Sequence, residues 1–135
     1  EALRAQIAQL INERLHLSPA LHARRLKIAI VSPAAPGSDV DVVARVVNTA
    51  KAHKAYAVSG GISLGAATVI RGSVVNELVP TPAAPLELRI GHPSGKLTLR
   101  IHWSGDAGTT RVHGAEVRQS ARILLRGEAF VQRPA

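Results

Sequence analysis

The chain has 135 residues, one domain's worth, and 46% of them are hydrophobic while only 2% are aromatic, so its core is built from Val, Ile, Leu and Ala rather than from rings. It has no cysteine, which excludes disulfides, thiolate metal sites and a cysteine nucleophile within these residues. Seventeen Lys and Arg against nine Asp and Glu give a formal net charge of +8, which favours acidic partners.

Leu3, Ile7, Leu10, Ile11 and Leu15 recur at helical spacing and predict an amphipathic N-terminal helix within residues 1–20, ending before Pro19. Leu26 to Val31 is rich in branched residues and reads as a strand stopped by Pro33, with a loop from Ser32 to Gly37. Ser38-Asp39-Val40-Asp41 has the capping-box form, and Val40, Val43, Ala44 and Val47 follow at helical spacing, which predicts a second helix from about Asp39 to Ala50. From Ala57 to Ile70 there is no charge and the side chains are small, as expected of a helix buried on all sides. Arg71-Gly72-Ser73 breaks that pattern, and Val74 to Val79 reads as a strand or extended exit. Pro80, Pro82 and Pro85 make residues 80–85 an extended connector.

From Leu86 the period is two: Leu86, Leu88 and Ile90, then Leu97, Leu99 and Ile101, alternate with polar residues around a hairpin tip at His92-Pro93-Ser94-Gly95. A second turn at Ser104 to Gly108 leads to Arg111–Val117, and Ala121 to Val131 completes an antiparallel meander. The fold class is α+β, one domain over 1–135: a curved, mostly antiparallel sheet wrapped around a central buried helix.

Ser59-Gly60-Gly61 opens the third helix and offers backbone N–H groups to an anion at the positive end of the helix dipole. His53 and Lys54, just ahead of it, can supply a proton donor and a cation. The tip Gly91-His92-Pro93-Ser94-Gly95 adds an imidazole, a hydroxyl and more N–H groups. Each of these also has an ordinary structural explanation, as a tight entry turn, a solvated pair and a hairpin turn. His16, His22, His102 and His113 lack metal-ligand spacing, and no P-loop, nucleophile elbow or dinucleotide fingerprint occurs. Basic residues are spread from Arg4 to Arg133, with only Arg24-Arg25-Leu26-Lys27 clustered and few rings to stack on bases, so a small polycarboxylate is favoured over nucleic acid. There is no 18-residue apolar run and no secretion leader, so the expectation is a cytoplasmic protein without a membrane partner. The chain begins at Glu1 and contains no methionine, from which a piece of a longer product is expected. The residues alone lead to an anion-binding α+β domain.

His53-Lys54-Ala55-Tyr56-Ala57-Val58-Ser59-Gly60, Ile70-Arg71-Gly72-Ser73-Val74-Val75, Gly91-His92-Pro93-Ser94-Gly95, and Ser120-Ala121-Arg122 with Gly127-Glu128 follow one another in an order that resembles the C-terminal half of the 2-methylaconitate cis-trans isomerase (PrpF) family. The similarity runs from about Leu26 onward, and the family includes methylitaconate isomerase and oxalomesaconate tautomerase and is similar in fold to diaminopimelate epimerase. The resemblance implies two similar domains, each a sheet curled around a helix, with substrate between the two helix N-termini. It implies no cofactor, a small unsaturated polycarboxylate as substrate, and a lysine base in the other domain; Lys54 is not its counterpart. It carries substrate binding over to His53, Lys54, Ser59, Gly60, Gly61, Gly91, His92, Pro93, Ser94 and Gly95. Gln119 stands where the family usually has an arginine, Arg71 where a proline is usual, and Lys96 where an apolar residue is typical, adding charge near the expected cleft. The alternative is a non-catalytic anion-binding or interaction module of the same fold. Either way, an isolated half is expected to pair with its own N-terminal domain or to form a homodimer.

Overall fold

The computed structural model describes residues 2–15, 27–48, 51–52, 54–79, 84–106, 108–128 and 130–131. Pro19, the Arg24-Arg25-Leu26 part of the basic cluster, His16, His22, His53, Pro80 and Pro82 lie outside them. Helix α1 (Ala2–Leu15) forms at the expected place, with Leu10 57% exposed. Strand β1 (Ile28–Pro33) ends at its proline, which an edge strand tolerates because the missing N–H breaks no ladder.

The helix expected over Asp39–Ala50 is instead strand β2 (Val42–Asn48), paired antiparallel with β1 and with the short β3 (Lys51–Ala52). Val42, Ala44 and Val46 are buried, a period of two that the overlapping helical spacing hides, and β-branched valines pack better on a pleated surface than in a helix. The capping box does not form: the Ser38 hydroxyl donates to the Val40 carbonyl at 3.3 Å, while the Asp41 carboxylate accepts from the backbone N–H and guanidinium of Arg89.

Helix α2 (Val58–Thr68) lies on one face of the sheet. Gly61, Leu64, Gly65 and Thr68 are buried, but Ser59, Ile62 and Ser63 are exposed, so the helix is covered on one side and not on all. Its small residues serve close approach. A β-carbon on Gly61 would sit 2.5 Å from Leu97 Cδ2, and one on Gly65 2.6 Å from Ile101 Cδ1. The expected extended exit over Val74–Val79 is a second correction, because Val74–Leu78 is helix α3. Its N-cap Ser73 accepts from the Asn76 N–H at 3.1 Å, and Glu77 stands in the positive first turn. The same turn caps α2: the Ser73 hydroxyl donates to Ala67 O and the Asn76 amide to Thr68 O.

Strands β4 (Leu86–His92), β5 (Gly95–Ser104) and β6 (Arg111–Val117) form the expected meander. The β4–β5 turn places Gly95 at φ 134, outside the range comfortable for other residues. Sheet order is β1-β2-β4-β5-β6, and β2 meets β4 in parallel through Val42↔Ile90 and Val43↔Gly91. The core lies between α2, α3 and the inward faces of β2, β4 and β5, where Leu88, Ile90, Leu99 and Ile101 are almost wholly enclosed. Ala121 to Val131 is not a strand among the described residues. Ile123, Leu124, Leu125, Phe130 and Val131 are each at least 79% exposed, and no strand among the described residues pairs with them.

Candidate anion site at the start of helix α2

The N-cap of α2 is Ala57, which has no side-chain oxygen to bond the first-turn amides. The Gly61 N–H is spent inside the helix on Ala57 O at 2.9 Å, so the available donors are those of Val58, Ser59 and Gly60, one residue earlier than the sequence suggested. Gly61 acts in packing against Leu97 instead. Gly91 is also a packing residue: it is buried, and a β-carbon there would meet Val40 Cγ2 at 3.1 Å.

The hairpin tip does come to this end of the sheet. The Ser94 hydroxyl donates to the Lys54 carbonyl at 2.9 Å and so ties the tip to the segment that enters α2. The Ser94 N–H donates to His92 Nδ1 at 3.3 Å, which turns the imidazole onto its own turn and leaves its Nε2 outward. The hydroxyl and amide of Ser94 are therefore used internally, and the tip with Pro93 and Gly95 braces the site rather than adding free Ser94 donors. Lys54 is exposed next to it. Lys96 is paired with Asp39 at 2.5 Å, so its charge is directed to that carboxylate and away from a cleft. Lys96's hydrogen bond and charge hold the Asp39 carboxyl below the usual range.

Beside α2 runs an open groove of about 350 Å³, lined among others by Ser59, Gly60 and Ser63 from the helix, Ala29 and Val46 from the sheet, and Lys27 and Tyr56. Lys27, Tyr56 and Ser63 were not singled out from the sequence. Lys27 reads as the end of a basic cluster and Tyr56 as an ordinary core ring, and only the tertiary arrangement puts both on the wall of one groove. Arg45 reaches Gly91 O and Ala44 O on the opposite face of the sheet from α2, where it braces the tip from behind.

Fold and site together define an α+β domain with an uncapped helix start that opens onto a side groove. The chain belongs to the PrpF protein family, whose profile matches residues 1–132. It is 30% identical over 118 residues to a 2-methyl-aconitate isomerase of Shewanella oneidensis, covering 80% of this chain and 30% of that protein. It is 31% identical over 98 residues to a 3-methylitaconate isomerase of Eubacterium barkeri (72% and 24%), and 30% identical over 132 residues to a (4E)-oxalomesaconate Delta-isomerase of a Novosphingobium species (97% and 34%). Among solved structures, a crystal structure of methylitaconate-delta-isomerase superposes with a TM-score of 0.52 at 24% identity, over 82% of this chain and 30% of that one, a likeness of fold. The chain spans about a third or less of the length of these curated relatives.

Proposed function

We propose that this chain is the substrate-binding wall of a cofactor-independent isomerase or tautomerase acting on a small unsaturated polycarboxylate of the 2-methylaconitate, methylitaconate or oxalomesaconate type. The observation that carries this reading is the uncapped start of α2, where Ser59 and Gly60 border an open groove, in a family whose named relatives isomerise such acids. In the full protein a lysine of a preceding domain removes a proton from the carbon next to the unsaturated, carboxylate-bearing centre. The electron pair delocalises over the allylic system, and the proton returns at its other end or after rotation, so nothing is oxidised or lost. The α2 amides hold a substrate carboxylate and spread the charge that develops on it. Lys54 adds a cation at the rim, and the tip Gly91 to Gly95 keeps the entry to α2 in place. In the same reading, the complete domain encloses α2 as the central helix of an epimerase-like fold.

Half a cleft leaves the ligand hydrated, so binding of tricarballylate is expected at about millimolar Kd, near 4 kcal/mol. NMR titration tests this: the amides of Val58, Ser59 and Gly60 shift, and Gly60→Val, which covers them, abolishes the shift. Shifts confined to the Arg24 to Lys27 cluster, with salt-sensitive binding of an oligonucleotide, would sink the reading. The chain alone is expected to show no turnover of unsaturated di- and tricarboxylates, because the base is not within reach.

A further inference from the structure

We infer that the Ser94 amide fixes His92 as the Nε2–H tautomer, so that this histidine serves the substrate as an uncharged hydrogen-bond donor to a carboxylate and not as the base. Its part in binding rests on the proposed function; the tautomer does not. Alternation along β4 puts His92 on the sheet face that carries the buried Leu88 and Ile90, the face α2 covers. Register gives its place along that face. Gly65 of α2 packs on Ile101 and Leu88, and Gly61, one turn earlier, packs on Leu97 and Leu99. Leu97 lies opposite Ile90, and His92, opposite Gly95, is the next residue of β4 on the same face. The line of α2 therefore runs back toward His92, which stands at the end of the sheet where the helix begins.

Its own turn holds the ring. Pro93 has no N–H to offer, and the amide that reaches back is that of Ser94, which donates to His92 Nδ1 at 3.3 Å. A backbone N–H can only donate, so Nδ1 is the unprotonated nitrogen and the proton of the neutral ring is on Nε2. Among the described residues no hydrogen bond engages Nε2, and His92 is partly exposed, so that N–H is open to a ligand. The lone pair of the ring is spent on Ser94, which leaves proton abstraction in the proposed reaction to the lysine. Ser94 is thus a positioning residue through its backbone.

The experiment uses the whole chain, first without ligand and at mildly alkaline pH, where imidazoles are neutral. Long-range proton–nitrogen NMR correlations are expected to show His92 as a single tautomer, with Nε2 protonated and Nδ1 displaced from the value of a free unprotonated nitrogen toward that of a hydrogen-bond acceptor. A protonated Nδ1, or an undisplaced one in a ring that exchanges between tautomers, overturns the inference. Tricarballylate titration then compares His92→Gln, whose amide nitrogen reaches about as far as Nε2, with His92→Asn, whose amide reaches only as far as Nδ1; an unchanged Tm verifies that both fold alike. The glutamine variant is expected to bind within about twofold of wild type and the asparagine variant about tenfold more weakly, the difference made by one hydrogen bond to a carboxylate. Equal affinity of the two variants overturns the donor role. If tricarballylate shifts no amide of Val58 to Gly60 in the wild type, the proposed function fails and the donor role with it, whereas the ligand-free spectra decide the tautomer by themselves.

Discussion

Gly65 lies so close over Ile101 that a methyl group on its Cα would come within 2.6 Å of Cδ1 and 2.8 Å of Cγ1, and Ile101 is fully buried. A β-branched side chain with one favoured χ1 has little room to retreat. Gly65→Ala is therefore expected to lower stability by roughly 1–2 kcal/mol even after the gain of about 1 kcal/mol in helix propensity, measured by urea unfolding. Gly60→Ala is the control. Its β-carbon would make only ordinary contact with Tyr56 at 3.4 Å, so the expected change is within about 0.5 kcal/mol or stabilising.

The Asp41–Arg89 pair sets a pH dependence. Burial pushes the Asp41 carboxyl up, but hydrogen bonds from the Arg89 side chain and backbone, together with its charge, outweigh this and hold the carboxyl below the usual range. A folded-state value below the unfolded one, about 3.9, means that the unfolded chain binds more protons in this window. The contribution is present above about pH 4 and is lost as pH falls through the depressed value. Asp41→Asn is expected to cost about 1–2 kcal/mol at pH 7, discounted for the partial exposure of both partners, and to flatten the acid limb of Tm against pH. An acid limb identical to wild type would refute the assignment.

Ser73 closes two helices at once, as N-cap of α3 and as donor to Ala67 O at the end of α2. Ser73→Ala is expected to cost about 1 kcal/mol or somewhat more, while Ser73→Asp, which keeps the cap but cannot donate to Ala67 O, recovers only part of it. Thermal unfolding of the two variants separates the contributions.

The exposed side chains Ile123, Leu124, Leu125, Phe130 and Val131 are expected to drive self-association. Sedimentation at rising concentration should show larger species that diminish when the chain is ended after Arg118. A strictly monomeric full chain at high concentration would contradict this.

The meander was legible because Leu86, Leu88, Ile90, Leu97, Leu99 and Ile101 alternate without ambiguity around a Pro93-Ser94 turn. The region 39–50 was misread because Val40, Val43 and Val47 fit a helix while Val42, Ala44 and Val46 fit a strand. Arg89, far along the chain, decided between them by claiming Asp41. Ser73 carried the better capping signal, with Glu77 in the following turn, but a run of valines concealed it. Of the site, the α2 start was visible as small uncharged residues, shifted by one position. The groove was not visible, because Lys27 and Tyr56 come to line it only through the arrangement of elements distant in sequence.

The parallel seam between β2 and β4 has a kinetic consequence. Every other pairing in the sheet joins strands that follow one another, whereas the seam binds residues 48 positions apart in sequence, Asp41 to Arg89, across the stretch that contains α2 and α3. Closing so long a loop costs entropy before any contact repays it, so the two halves of the sheet gather separately and the seam zips last. Asp41→Asn should then speed unfolding while leaving the refolding rate nearly unchanged, and Leu88→Ala, inside the meander, should slow refolding instead.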